Sequence, residues 1–492
     1  MTPHTPSRRS WLAAIGILVG ARLLVGLWLL AEMAPLSADD YFRVFYAAWW
    51  WDHPRFASYY IWLPGYSWLY GLWVGLSQDM IAAPRALTLL WQLGTGLLPL
   101  ALTAMPRAQR LWAMAWLLFV PLALPLGCAP LTEAATGFFI MAALVSARRA
   151  REQHSAPWTS LAAISLFAAA TLRYEAWLLA PIWALWQLRR IDLPVTRFTR
   201  WLLALFPLSF PAIWTLYGRL GQGEWLAFLR STHEDHFGAP NWWSSLATTE
   251  GGSNLLLLGL AIALIVLRHR RHTARTAELS GFFFAAFALF YIALAATDAL
   301  PSQYPLRLLY PLFICLALPL ASSLDALSTA HRRALFALFA ALSLSGVALS
   351  LARPAGVAPW NTAAAAWIQA QYKSGALPAE AHVLIGKHMP DNTAVFVFAN
   401  QMSRVHLDAM GRACQVQFLS HAPPTCPLPP WGDQVYVVLA WHGSAEARYI
   451  SGLGWDMVFA TGPWQAWRKP EGCALPLRRP RMSEPTGGAP RR

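Results

Sequence analysis

Charge is what this sequence has least of. Only 13% of its 492 residues are Asp, Glu, Lys or Arg, where a soluble chain runs near a quarter, so a soluble globular protein is excluded. Acids are scarcer than bases, 24 against 38, and the formal net charge of +14 raises the question of nucleic acid. The bases form short clusters between apolar runs, and no single patch, which is a membrane-topology pattern and argues against a nucleic-acid partner. The five cysteines (Cys128, Cys315, Cys414, Cys426, Cys473) make no CxxC pair and no metal-ligand spacing. Cys128 and Cys315 fall in or beside apolar runs as packing residues; Cys414 and Cys426 lie in a polar region where, outside the cytoplasm, a disulfide is open to them. No internal repeat is visible. Pro6-Ser7-Arg8-Arg9-Ser10-Trp11 is loosely like a twin-arginine signal, but no small-residue cleavage site follows, so it starts an uncleaved span.

Apolar residues make up the bulk, 57% of the chain, with 27 Trp. Apolar runs fall at 11–34, 86–105, 111–126, 131–147, 158–172, 175–188, 201–217, 253–267, 279–297, 307–325 and 334–352. Read as crossings, they predict an all-α polytopic membrane bundle of about 11 transmembrane helices. The segment 59–73 is apolar enough to span but is interrupted by Pro64-Gly65 and rich in aromatics. Placing it at the outer interface, as a juxtamembrane or re-entrant helix, leaves every basic cluster (Arg107/Arg110, Arg148/Arg149/Arg151, Arg189/Arg190/Arg197/Arg200, Arg268 to Arg275, Arg332/Arg333) on the same side as Arg8/Arg9. The N-terminus is then cytoplasmic, in a cell inner (plasma) membrane.

Beyond Arg353, Pro, His and polar residues increase, and 353–475 is expected to form a small extracytoplasmic α/β C-terminal domain, periplasmic in a Gram-negative cell. Its expected strands are Ala394–Phe398 and Gln434–Leu439, its expected helices 361–373 and 444–452. The tail 476–492, basic and rich in Pro and Gly, reads as disordered.

On this topology the acids collect on the outer side: Asp39, Asp40 and Asp52, Asp79, Glu133, Glu175, Glu224, Glu234, Asp235 and Asp298. Acids contribute little to orientation, so the clustering invites a chemical reading. Asp39-Asp40 stands where the first span ends, within the loop 35–85, and a carboxylate there is suited to act as general base toward a hydroxyl. Arg173 and Arg307 stay charged and suit an anionic group such as phosphate. Arg22, in mid-span, is expected to sit in an ion pair facing the bundle. His233-Glu234-Asp235-His236 offers metal-ligand types, but with no third distant ligand the sequence calls for no cofactor, and a divalent metal is not indicated.

Four segments resemble, in order, those of the GT-C superfamily of membrane glycosyltransferases that use polyprenyl-phosphate sugars, which includes protein O-mannosyltransferases and lipid A aminoarabinose transferases. They are Asp39-Asp40 with the aromatic Trp62-Leu63-Pro64-Gly65-Tyr66 where the family has a His-Pro-Pro-type helix, Pro130-Leu131-Thr132-Glu133-Ala134-Ala135, Thr171-Leu172-Arg173-Tyr174-Glu175-Ala176, and Tyr304-Pro305-Leu306-Arg307-Leu308-Leu309-Tyr310-Pro311. The resemblance covers roughly residues 11–350 and makes 1–352 a GT-C-like catalytic domain. It implies sugar transfer from a polyprenyl-phosphate donor to a lipid, glycan or protein acceptor among membrane lipids, with inversion. It implies Asp39, Asp40 and Glu133 as catalytic groups, Arg173, Arg307 and Tyr310 at the phosphate, and Tyr41, Arg43, Tyr66, Glu175, His233 and His236 as substrate contacts. The rival readings are a transporter or flippase of lipid-linked sugars, which would show repeats and midplane polar sites, a non-catalytic assembly subunit, and a lipid-diphosphate-dependent glycan polymerase or ligase.

Overall fold

The computed structural model describes residues 7–33, 35–57, 62–189, 196–226, 246–269, 278–296, 305–324, 327–352, 357–377, 381–385, 391–400, 405–407, 435–443, 447, 451 and 454–468. The chain divides into two units, Met1–Ser77 with Ala82–Gly356, and Gln78–Ile81 with Val357–Arg492.

The first unit is helical: α1 Arg8–Glu32, α2 Ala38–Asp52, α3 Gly65–Ser77, α4 Ala82–Leu97, α5 Arg107–Phe119, α6 Ala123–Leu126, α7 Glu133–Gln153, α8 Ala156–Leu172, α9 Leu179–Leu188, α10 Arg197–Gln222, α11 Thr249–His269, α12 Glu278–Ala296, α13 Tyr310–Ser323 and α14 Thr329–Ala352. Every apolar run contains helix. Among the described residues five helices are long and apolar enough to cross a membrane by length and composition: Arg8–Glu32, Arg197–Gly221, Thr249–Leu267, Leu306–Ser323 and Thr329–Ala352. Ala156–Leu172 and Leu279–Leu294 are shorter apolar helices. Large apolar side chains such as Leu24, Leu220, Leu289 and Leu344 stand exposed on these helices, a face that suits lipid and not water.

The run 111–126 is a broken helix. Its chain leaves the helical conformation at Val120 and restarts as the short α6, which follows Pro121 and contains Pro125. Inside a bundle the carbonyls freed by such a break need donors, and side chains from three other helices supply them. Gln92 Nε2 donates to Leu117 O at 2.6 Å and Ser343 Oγ to Phe119 O at 2.6 Å, while Arg22 Nη2 donates to Ala123 O and Leu124 O, both at 3.3 Å. Arg22 is therefore not in the expected ion pair. Fully buried, it places its charge on the carbonyl end of a helix, where a cation is favoured, and beside Cys128 Sγ.

The first loop holds a helix that apolarity alone does not reveal. Besides α3, which starts at Gly65 within the expected juxtamembrane segment, residues 38–52 form α2, headed by Asp39 and Asp40. The two pack closely because α3 presents glycine at successive turns. A Cβ on Gly71 would come within 2.7 Å of both Ala47 O and the Trp50 ring, and one on Gly75 would fall inside the Trp51 ring.

At the far end of the bundle from α2's start, bases gather. Arg107 and Arg110 lie over the Trp11 ring, and Arg149 donates to Thr103 Oγ1 and lies over Trp158.

The second unit carries a sheet in the order β2-β1-β3-β5-β4, from β1 His382–Ile385, β2 Val405–Leu407, β3 Val435–Trp441, β4 Asp456–Thr461 and β5 Trp464–Arg468. β1 is parallel to β2 and β3, whereas β5 runs antiparallel to β3 and β4. Helices α15 Pro359–Lys373 and α16 Asp391–Ala399 complete it. The expected strand Ala394–Phe398 is thus a helix. Ala394 to Val397 are all buried, and a short run buried on every side has no period to separate strand from helix. The expected strand 434–439 and the helix 361–373 fall on β3 and α15. Only Ala447 and Ser451 of 444–452 are described.

Candidate active site

Four separate stretches of chain bring ionisable groups to one end of the bundle. Asp39 stands in the first turn of α2, and Arg43, four residues on, shares its face. Glu133 opens α7, a position where the helix dipole favours a carboxylate. Arg173 caps α8, where the backbone becomes extended before the 3-10 turn Tyr174–Leu178, and Arg307 sits in the 3-10 turn Pro305–Leu309 ahead of α13. All are buried.

Arg307 Nη1 lies 2.7 Å from Asp39 Oδ2, and its Nε lies 3.5 Å from Glu133 Oε1. Arg173 Nη1 donates to the same Glu133 oxygen and, at 3.4 Å, to Thr132 Oγ1. Its other two nitrogens grip Glu175 as a fork, Nε to Oε2 at 3.2 Å and Nη2 to Oε1 at 2.5 Å. Asp39, Arg307, Glu133, Arg173 and Glu175 are therefore one continuous buried chain of charges. Burial alone would raise the Glu175 carboxyl, but the Arg173 charge and hydrogen bonds bring it below the usual range.

Asp40 and Arg43 flank this chain. Asp40 Oδ2 accepts from Leu36 N–H at 2.8 Å, and Oδ1 lies 3.4 Å from Ser37 Oγ. Burial pushes its carboxyl up to about 7, against the pull of the Leu36 N–H and Arg85. Arg43 has no carboxylate within ion-pair distance among the described residues, and its Nε has no hydrogen-bond partner. Its guanidinium lies 4.7 Å from the Trp62 ring centre and 5.7 Å from that of Tyr66, a cation–π setting. Burial lowers its pKa, with Asp39 opposing.

The other expected residues divide. Tyr66 donates to Pro130 O at 2.8 Å and stacks on Tyr70; Tyr41 is buried and stacked on Phe42. Tyr310 donates to Gln92 Oε1 at 2.5 Å, so its hydroxyl is bonded within the bundle and not to the charge chain. His233, Glu234, Asp235 and His236, Asp298, the Cys414/Cys426 pair and the tail 476–492 lie outside the described residues. No group of three or more His, Cys, Asp or Glu placed to hold a metal occurs among the described residues. Two contributors went unread in the sequence. Thr132 is an ordinary N-cap position, and Tyr291 of α12, which feels the charges of Glu175, Arg173 and Glu133, looks there like one more aromatic in an apolar helix.

A helical membrane-type bundle of this order, followed in sequence by a small α/β unit, is a fold found among solved structures. The solved structures it is similar to include ArnT from Cupriavidus metallidurans bound to undecaprenyl phosphate, with 13% sequence identity, a TM-score of 0.60, and 96% of this chain and 100% of that one covered. The apo state of the same ArnT gives a TM-score of 0.56, again at 13% identity, over 93% of this chain and 98% of that one. No protein-family model matches the sequence. No curated protein matches it either.

Proposed function

We propose that the protein is an integral membrane glycosyltransferase of the GT-C type, which moves a sugar from a polyprenyl-phosphate donor to a lipid, glycan or protein acceptor at the outer face of the cytoplasmic membrane. The observation that carries this is the convergence of Asp39, Glu133, Arg173 and Arg307, from four stretches far apart in sequence, beside an Arg43 whose buried Nε–H has no partner among the described residues. The undecaprenyl phosphate held by the similar ArnT structure is a ligand of the same class.

Asp39 takes the proton of the acceptor hydroxyl, and the oxygen attacks the anomeric carbon from the side opposite the phosphate. The new C–O bond forms as the bond to the phosphate oxygen breaks, the electron pair leaves with the phosphate, and the anomeric centre inverts. Arg43 takes the phosphate, since its buried Nε–H has no hydrogen-bond partner among the described residues and its guanidinium lies over the Trp62 ring. Arg307 helps at the right moment. Once Asp39 is protonated, its ion pair with Arg307 loses its charge partner, and the Arg307 cation turns to the departing phosphate. Arg173, whose three nitrogens are all engaged by Thr132 and the two Glu side chains, orients Glu133 and Glu175 and does not grip phosphate itself. Glu133 places the substrate, and the second unit shapes acceptor choice.

The test is sugar transfer from a synthetic polyprenyl-phosphate donor by wild type, Asp39→Asn and Asp40→Asn. Loss of a general base costs about 10²–10⁴ in rate; full activity in Asp39→Asn removes Asp39 from that role.

A further inference from the structure

Buried hydroxyls in this bundle nearly always find a partner. Thr88, Thr95, Thr159 and Ser165 donate to the carbonyl four residues before them. The phenols of Tyr66, Tyr70 and Tyr310 are bonded to Pro130 O, Thr88 Oγ1 and Gln92 Oε1. Two hydroxyls break the pattern, Thr136 Oγ1 and Tyr291 Oη, and with them one carboxylate oxygen, Glu133 Oε2. None of the three has a hydrogen-bond partner among the described residues, and the residues are 2%, 4% and 1% exposed. A buried polar atom left this way carries a desolvation cost that a bound ligand can remove.

These atoms belong to one neighbourhood. Thr136 lies one turn after Glu133 on the same face of α7. Tyr291 continues the buried stripe Phe283, Phe287, Tyr291 on α12, a helix that packs against the 3-10 turn Tyr174–Leu178 carrying Glu175, and it feels the charges of Glu175, Arg173 and Glu133. Their chemistry differs from that around Arg43. An ionised carboxylate oxygen repels phosphate but accepts from an alcohol, and two neutral hydroxyls both give and accept hydrogen bonds. One acceptor and two amphoteric groups match the hydroxyls of a sugar ring, as the Arg43 guanidinium matches a phosphate.

We infer that Glu133, Thr136 and Tyr291 bind hydroxyl groups of the glycosyl unit being transferred, and that Tyr291 sets the preference for a sugar-bearing lipid over the bare lipid phosphate. This rests on the glycosyltransferase reading. It divides the site into a phosphate side at Arg43 and Trp62 and a sugar side at Glu133 and Tyr291.

The experiment measures binding of undecaprenyl phosphate and of its synthetic phosphoryl-hexose and phosphoryl-pentose forms to full-length protein, wild type and Tyr291→Phe. Wild type should bind one sugar-bearing form more tightly than the bare lipid. Tyr291→Phe, which removes only the hydroxyl, should weaken that form about tenfold, the scale of one or two lost hydrogen bonds, and leave undecaprenyl phosphate within twofold, which also shows that the variant is folded. Thr136→Val should move the same preference by a few-fold. If Tyr291→Phe keeps the wild-type preference, or weakens both lipids equally, the inference fails while the glycosyltransferase reading stands. If wild type binds no form, both fall.

Discussion

At the residue scale, the two neighbouring acids that begin α2 are chemically unlike. Asp39 is ion-paired with Arg307, and Asp40 faces backbone with its carboxyl raised to about 7 by burial. The folded pKa of Asp40 lies above its unfolded value of 3.8, so its contribution to stability is fully present below about pH 4 and is lost as pH rises through 7. Thermal melts should therefore show wild type losing on the order of a few kcal/mol between about pH 4 and pH 7 relative to Asp40→Asn; parallel curves would refute the assignment. With Asp39 as base, the acid limb of the rate profile should survive in Asp40→Asn, and an acid limb near pH 7 that disappears in that variant would transfer the role to Asp40. Arg43→Lys keeps the charge but loses the flat fork over Trp62, and is expected to raise KM for the donor about tenfold. Asp-Asp was legible as a pair; which acid faces Arg307 was not, because helix phase within α2 decides it.

At the element scale, the site depends on helices held at close range. Enlarging Gly75 puts carbon into the Trp51 ring, so Gly75→Leu should push α2 from α3 and displace Asp39 and Arg43 together. Transfer should fall at least tenfold, with a lower melting temperature; wild-type transfer would show that α2 needs no such contact. Arg22→Met removes the donor of Leu124 O, while Ala123 O keeps the Gly127 N–H, and is expected to cost about 2 kcal/mol in thermal stability, since an orphaned buried carbonyl costs roughly 1–3 kcal/mol. An unchanged melting temperature would show that other groups satisfy the break. The acid partner expected for Arg22 was a reasonable reading of a mid-span charge, but the carbonyls it meets are more than a hundred residues away, in the one-turn helix α6 that follows the break.

At the scale of the whole molecule, the first unit separates its charges. Asp39, Glu133, Arg173, Glu175 and Arg307 meet at one end, while Arg107, Arg110 and Arg149 stand with Trp11 and Trp158 at the other. The proposed orientation puts the second group in the cytoplasm. In a background with the native cysteines replaced, a membrane-impermeant maleimide added to intact spheroplasts should label Glu224→Cys, just past α10, and spare Gln153→Cys, at the end of α7. The reverse pattern would invert the topology and remove the outer-face site.

What the sequence determined by itself is the set of apolar helices and the residue types available for chemistry, because hydropathy and charge are local properties that survive without a fold. The tertiary structure decided the partners. It gave Arg307 to Asp39, Arg173 to the two Glu side chains and Tyr310 to Gln92, left Arg43, Glu133 Oε2 and Tyr291 with capacity for a ligand, and turned Ala394–Phe398 into a helix. Ion pairs and hydrogen bonds act over about 3 Å, and which groups come that close is set by helix phase, by the break in α5 and by the glycine contacts of α3.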